Sequence, residues 1–245
     1  AGLAAAIHEG EEGEPINSLT NGDRHDLNLL KNQVEYIRKQ RGYGNKPIIL
    51  VLTGGSPIIT PDIYEMADAV LFAWYPGEEG GNGVADVIFG DVIPSGRLPI
   101  TFPKTMKQIP DYNDYSMKGR TYRYMTEEPL YPFGFGLSYT TFMYSGVRVS
   151  KPEMNPGDST VITLTIANTG KYNADEITQL YVSFEGELKN KPLYSLKAIK
   201  KTHLKAGDKT DISFVLSPEE LKLAGEDGIF RVLPGRYKIH IGSTG

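Results

Sequence analysis

Pro47-Ile48-Ile49-Leu50-Val51-Leu52, closed by Thr53-Gly54-Gly55-Ser56-Pro57, is a short, unbroken apolar run that stops at a glycine loop. Such a run suits a strand buried on both faces of a parallel sheet. A second run of the same kind, Ala69-Val70-Leu71-Phe72-Ala73-Trp74, comes after a short helix expected over about 61–67. Pro76-Gly77-Glu78-Glu79-Gly80-Gly81 then opens another helix, over about 82–89. Strand, loop, helix and strand in this order predict an α/β sandwich built on a parallel sheet. Upstream, Asp26 is a plausible N-cap, and Leu27, Leu30, Val34 and Ile37 recur at the spacing of one helical face that ends at Gly42 and Gly44. Ala1-Gly2-Leu3-Ala4-Ala5-Ala6-Ile7 lacks the basic start of a signal sequence. It reads as the tail of a buried strand, so the chain is expected to be a piece of a longer polypeptide. Ligands of open α/β sheets sit beyond the carboxyl ends of the strands. Three loops are expected there: the acidic stretch 8–14, the glycine loop 53–57, and the loop after Trp74.

Downstream, residues 91–143 are rich in Pro, Gly and Tyr and have little periodicity, which predicts a long irregular connection. From about 144 the pattern becomes short strands. Residues 159–167 largely alternate apolar and polar, and Asn168-Thr169-Gly170 turns the chain. Further strands are expected at 179–184, 196–200, 211–215, 229–233 and 237–241. About seven short strands in ~100 residues indicate a β-sandwich. Tyr237, after Pro234-Gly235, resembles the tyrosine that pins a corner in such folds. The fold class is thus α/β plus all-β. The expected organisation is 1–100 as part of an α/β sandwich domain, 101–143 as linker, and 144–245 as β-sandwich.

The chain has 245 residues, 40% hydrophobic and 23% charged, an ordinary globular balance with room for two domains. A formal net charge of -4 argues against nucleic acid or an anionic membrane as the main partner. No stretch approaches the ~20 apolar residues of a membrane span. Cysteine is absent, which removes disulfide and thiol chemistry.

The acidic loop His8-Glu9-Gly10-Glu11-Glu12-Gly13-Glu14 is the leading candidate for chemistry. Clustered carboxylates repel, so one of them holds a proton more readily, as a general acid needs near neutral pH. Flanking glycines let the backbone present a side chain into a cleft. The competing reading is a solvated acidic loop. Gly22-Asp23-Arg24 is either a buried pair that braces this loop or a surface turn. Ser56 is rejected as a nucleophile, because Ile58 stands where a nucleophile elbow needs glycine and Pro57 has no N–H to donate. Residues 77–83 fit neither a phosphate loop nor a dinucleotide fingerprint. His8, His25, His203 and His240 show no metal-ligand spacing, so neither a metal nor a cofactor is expected. Trp74, Tyr75 and the tyrosines of 112–144 either stack on sugar rings or pack an interface.

Several stretches together resemble glycoside hydrolase family 3. Gly10-Glu11-Glu12-Gly13, Gly22-Asp23-Arg24 and the helix carrying Asn32-Gln33 look like its proton-donor region. Lys46-Pro47-Ile48-Ile49-Leu50-Val51-Leu52 with Gly55-Ser56-Pro57, and Ala73-Trp74-Tyr75-Pro76-Gly77-Glu78-Glu79-Gly80-Gly81-Asn82, fit the strands and loops next along that family's chain. The most specific are Ala85-Asp86-Val87-Ile88-Phe89-Gly90-Asp91, Pro94-Ser95-Gly96-Arg97-Leu98-Pro99 and Tyr131-Pro132-Phe133-Gly134-Phe135-Gly136-Leu137-Ser138-Tyr139-Thr140. The resemblance covers essentially the whole chain and ends in a fibronectin type III-like domain. It implies a retaining, two-step glycosidase of the periplasm or the secreted fraction, acting on β-linked oligosaccharides or glycosides. The acid/base role falls on Glu11, with Glu12 as runner-up and Glu9 third. The family's nucleophile is an aspartate on a preceding TIM-like barrel, and no matching segment exists in this sequence. The chain alone is therefore expected to be inactive, with the barrel as its partner.

Three functions compete on these grounds. The first is the C-terminal part of an exo-β-glycosidase, a β-glucosidase with β-xylosidase close behind. The second is a non-catalytic carbohydrate-binding or structural module. The third, a flavodoxin-like ligand-binding domain fused to an adhesion module, is disfavoured by an acidic loop facing an anionic ligand.

Overall fold

A computed structural model of the chain describes residues 26–242. They form two compact units. The first comprises residues up to Asp91 with Phe102–Ile109 and Glu128–Tyr131; the second comprises Val92–Thr101, Pro110–Glu127 and the chain from Pro132 onward.

In the first unit the order is α1 (Lys31–Gly42), β1 (Ile49–Leu52), α2 (Pro61–Met66), β2 (Ala69–Phe72) and α3 (Gly80–Phe89). β1 and β2 pair in parallel, Ile49 opposite Ala69 through Leu52 opposite Phe72. The helix expected from Asp26 starts later. Asp26 instead accepts the Asn28 N–H at 2.7 Å in an Asx turn, and the Leu29 N–H is taken by Thr60 Oγ1 at 2.8 Å. Those bonds hold the chain extended through Leu30, whose N–H goes to Gln33 Oε1 at 3.0 Å and so caps α1 from within. Leu29 therefore enters the core with Ile37, Leu52, Ile58 and Ile63, while Leu30 faces out. The expectation of a strand buried on both faces is also corrected. Leu50, Leu52 and Phe72 pack into that core with residues of α1 and α2, but Ile49 and Val51 remain 47% and 37% exposed. Phe102 forms an antiparallel bridge with Tyr131 and sets its ring edge-on to Phe72 and Trp74, at 5.4 and 6.4 Å. Lys104 and Glu128 close the same strip at 2.6 Å.

In the second unit two three-stranded antiparallel sheets enclose one core. One is β3 (Phe142–Val149), β4 (Thr160–Asn168) and β7 (Lys209–Leu216); the other is β10 (Tyr237–Gly242), β5 (Ala174–Phe184) and β6 (Ser195–Leu204). A helical turn α5 (Pro218–Leu221) and the small hairpin β8 (Leu223–Ala224) with β9 (Phe230–Arg231) lie between β7 and β10. Alternation along β4 turns Ile162, Leu164 and Ile166 inward against Leu180 and Val182 of β5 and Ile212, Phe214 and Leu216 of β7. Tyr237 does pin a corner: its hydroxyl donates to Leu233 O at 2.9 Å and receives the Leu233 N–H at 3.0 Å.

The irregular stretch 101–143 contains a 3₁₀ turn (Met106–Gln108) and one helical turn, α4 (Thr121–Tyr124). Its part in the second unit lies against the sandwich. Tyr122 stacks on Phe133 at 4.3 Å, Tyr181 of β5 meets Tyr122, Phe133 and Tyr194 edge-on, and the Tyr122 hydroxyl receives the Leu196 N–H at 3.0 Å. Gly134, at φ +82°, leaves no room for a side chain, since a Cβ there would sit 2.5 Å from Gln179 Oε1.

Candidate active-site loops

β1 and β2 end side by side, and backbone bonds carry the pairing into their loops. Ala73 N–H reaches Leu52 O at 2.8 Å and Gly54 N–H reaches Trp74 O at 3.2 Å. Trp74 itself stands at φ +54°, a left-handed conformation that costs a bulky residue energy. Its ring packs on Phe72 at 4.5 Å, which anchors the side chain. The turn aims Tyr75 outward over Gly55, where a Cβ would lie 3.0 Å from the Tyr75 ring. Gly80 passes just as tightly over Pro76, 2.5 Å from where its Cβ would be, and Glu79 accepts the Asn82 side-chain N–H at 2.6 Å. The two loops thus form a rigid, glycine-rich rim at the carboxyl ends of the strands, the position where such sheets bind ligands.

Glu9, Glu11 and Glu12, and with them Gly22-Asp23-Arg24, lie outside the described residues. The tyrosines of 112–144 differ in their surroundings. Tyr122, Tyr131 and Tyr144 are packed, whereas Tyr112 and Tyr115 stand in solvent. Of the histidines, His203 pairs with Asp175 at 2.7 Å in a largely exposed cluster with Lys201. His240 Nε2 bonds Ser183 Oγ at 2.9 Å. Burial holds the His240 imidazole below its ordinary pKa, with Lys238 adding to the effect and Glu185 opposing it. Among the described residues no group of three or more His, Cys, Asp or Glu is placed to hold a metal ion.

A buried ionic cluster in the second unit went unread in the sequence. Arg97 Nη2 donates to Glu176 Oε2 at 2.8 Å, Arg97 Nη1 donates to Gly136 O at 3.1 Å, and the Tyr144 hydroxyl donates to Glu176 Oε1. The side chains of Arg97 and Glu176 are only 8% and 1% exposed. Burial, reinforced by the Glu176 carboxylate, pushes the Tyr144 phenol far above its usual range. A local signal existed: Glu176 sits on the same inward parity of β5 as Leu180 and Val182, where a glutamate demands a cationic partner.

The comparisons with known proteins agree with this architecture. Residues 2–139 match the glycosyl hydrolase family 3 C-terminal domain, and residues 176–244 match a fibronectin type III-like domain. A xylan 1,4-beta-xylosidase of Xylanibacter ruminicola is 40% identical over 99% of this chain and 28% of its own length. A periplasmic beta-glucosidase of Salmonella typhimurium is 37% identical over 89% of this chain and 30% of its own. The crystal structure of a beta-glucosidase from Listeria innocua in complex with glucose superposes with a TM-score of 0.81 at 29% identity, over 91% of this chain and 33% of that one. The chain spans about a third or less of the relatives it matches. With a family match across more than half its residues, followed by the sandwich seen in the structure, this chain belongs to glycoside hydrolase family 3, as a C-terminal domain joined to a fibronectin type III-like domain.

Proposed function

We propose that the chain is the C-terminal part of a retaining exo-β-glycosidase that removes terminal non-reducing β-D-glucosyl residues. Residues 1–100 carry the acid/base as part of an α/β sandwich domain, 101–143 connect, and 144–245 form the fibronectin type III-like domain. The nucleophilic aspartate belongs to a TIM-like barrel outside this sequence. In the first step the aspartate attacks the anomeric carbon while Glu11 gives its proton to the departing glycosidic oxygen. In the second, the Glu11 carboxylate takes a proton from water, and the resulting hydroxide displaces the aspartate to release the sugar with retained configuration. The two carboxyl groups should stand about 5–5.5 Å apart. Glu12 is the alternative donor, one residue on.

The observation that carries this reading is the family match over residues 2–139, which includes the glutamate loop and the rim formed by the 53–57 and 74–81 loops. Action on a β-xyloside is the second reading, favoured by the 40% identity to a xylan 1,4-beta-xylosidase along nearly the whole chain. A periplasmic or secreted location is proposed by analogy with the periplasmic beta-glucosidase of Salmonella typhimurium. The test is Glu11→Gln in a polypeptide of the relatives' length that carries this chain. Alkyl β-glycosides, which need their leaving oxygen protonated, should slow far more than activated aryl glycosides. Equal losses on both would reject Glu11. Aryl β-glucoside against aryl β-xyloside settles the sugar.

A further inference from the structure

In the second unit α4 lies across the start of β6. The Leu193 N–H donates to Arg123 O at 2.7 Å, and the Leu196 N–H to the Tyr122 hydroxyl at 3.0 Å. The next residue, Lys197, has no place in the ladder. Pairing with β5 steps from Leu196 opposite Tyr181 to Ala198 opposite Leu180, so Lys197 is the extra residue of a β-bulge, a device that re-aims a side chain. On α4, Thr121 stands at φ +56°, a left-handed conformation that costs a β-branched residue energy. Two residues on, Arg123 sets its Cζ 5.7 Å from the centre of the Tyr124 ring, and its Nε is buried with no hydrogen-bond partner. Among the described residues neither Arg123 nor Lys197 has an ion-pair partner. Burial and the nearby Arg123 charge hold the Lys197 ammonium below its ordinary pKa, and Glu220 of α5 opposes them. The Glu220 carboxylate is itself engaged by Ser217, which donates its N–H at 2.8 Å and its hydroxyl.

We propose that Arg123 and Lys197 form a binding site for one carboxylate group, which accepts the buried Nε–H of Arg123 and meets the Lys197 ammonium. The site belongs to the second unit alone and stands apart from the glycosidase reading above. Three features select the occupant. An N–H of a guanidinium that has left water and met no acceptor is destabilising until an acceptor takes the place. The planar guanidinium edge matches the two oxygens of a carboxylate. Charge then sets the valence. Arg123 and Glu220 are the charges that act on Lys197, so two cations face one carboxylate and leave one net positive charge. A monoanion neutralises it, a dianionic phosphate overshoots, and a neutral ligand leaves it uncompensated. The strained Thr121 and the bulge at Lys197 both cost stability, and both serve to bring these two cations together. The carboxylate comes either from a free organic acid or from an acidic side chain elsewhere in a polypeptide of the relatives' length.

The test follows the Lys197 ammonium by NMR of carbon-13-methylated lysines in the polypeptide of the relatives' length that carries this chain, with the signal assigned through Lys197→Arg. A carboxylate seated beside the ammonium raises its pKa. For a free acid, Lys197 titrates below its ordinary value, and sodium acetate raises it saturably where sodium chloride at equal ionic strength does not. Arg123→Met should then weaken acetate binding about ten- to a hundredfold, the loss of one charge-assisted hydrogen bond, and Glu220→Gln should tighten it. For a carboxylate supplied by the polypeptide itself, Lys197 titrates at or above its ordinary value before acid is added and stays there in Glu220→Gln. Four results overturn the proposal: a low value that acetate leaves unmoved, an equal response to chloride, acetate binding undiminished in Arg123→Met, or a raised value that Glu220→Gln abolishes.

Discussion

Replacing Arg97 by Met removes the cation from a cluster in which Glu176 is 1% exposed and cannot turn to water. Glu176 would keep the Tyr144 hydroxyl bond but lose the guanidinium contact at 2.8 Å, leaving a buried carboxylate without its counter-charge. Breaking a buried pair from one side costs about 3–5 kcal/mol, against at most ~1 kcal/mol for an exposed pair. For a unit of this size each kcal/mol moves the melting temperature by about 2–4 °C, so Arg97→Met should lower it by roughly 6–20 °C. Glu176→Leu should be comparably damaging, because it strands Arg97 instead. The double variant Arg97→Met/Glu176→Leu removes both charges and should recover most of the loss, a strong departure from additivity. Urea and thermal unfolding followed by near-ultraviolet circular dichroism give all four stabilities. A single-variant loss below ~1 kcal/mol, or a double variant equal to the sum of the singles, would refute the claim that the pair is dry and coupled.

Gly134→Ala forces a Cβ to 2.5 Å from Gln179 Oε1 at φ +82° and should destabilise by several kcal/mol, whereas Gly157→Ala, at φ +102° with open space around it, should cost only the ~1–2 kcal/mol of backbone strain; urea unfolding distinguishes them. Tyr237→Phe loses the hydroxyl that bridges Leu233 N–H and C=O and should cost about 1–2 kcal/mol by the same measurement. His240 is held below its ordinary value of 6.5 by burial, so the unfolded chain binds its proton first as pH falls. Its contribution to stability is full above pH 6.5 and is lost as pH drops toward the folded value; His240→Gln should flatten that part of a stability–pH profile.

Periodicity revealed the larger architecture because it reports burial directly. The alternation in 159–167 placed Ile162, Leu164 and Ile166 in the sandwich core, and two apolar runs gave the paired parallel strands. Periodicity missed the start of α1, because Thr60, far along the chain, takes the Leu29 N–H and keeps Leu30 extended. Exposure of Ile49 and Val51 escaped it too, since an apolar run carries no sign of which face is covered. Arg97 and Glu176 meet across 79 positions, a pairing no local pattern encodes. The tyrosines of 112–144 were indistinguishable by composition; only contacts made in the fold separate the packed Tyr122, Tyr131 and Tyr144 from the exposed Tyr112 and Tyr115. The glutamate loop was picked out by its motif, since its acidity alone favoured a solvated loop.

The most direct trial of the acid/base assignment is chemical rescue of Glu11→Ala and Glu12→Ala in the relatives'-length polypeptide, using a dinitrophenyl β-glycoside and azide. This leaving group departs without a proton, so the glycosyl-enzyme forms and then waits for a nucleophile that needs no general base. The account predicts that azide restores turnover in one of the two variants, Glu11→Ala first, and that the product is the β-glycosyl azide. Parental turnover of unactivated glycosides by both variants, or a loss that azide leaves untouched in both, would contradict it.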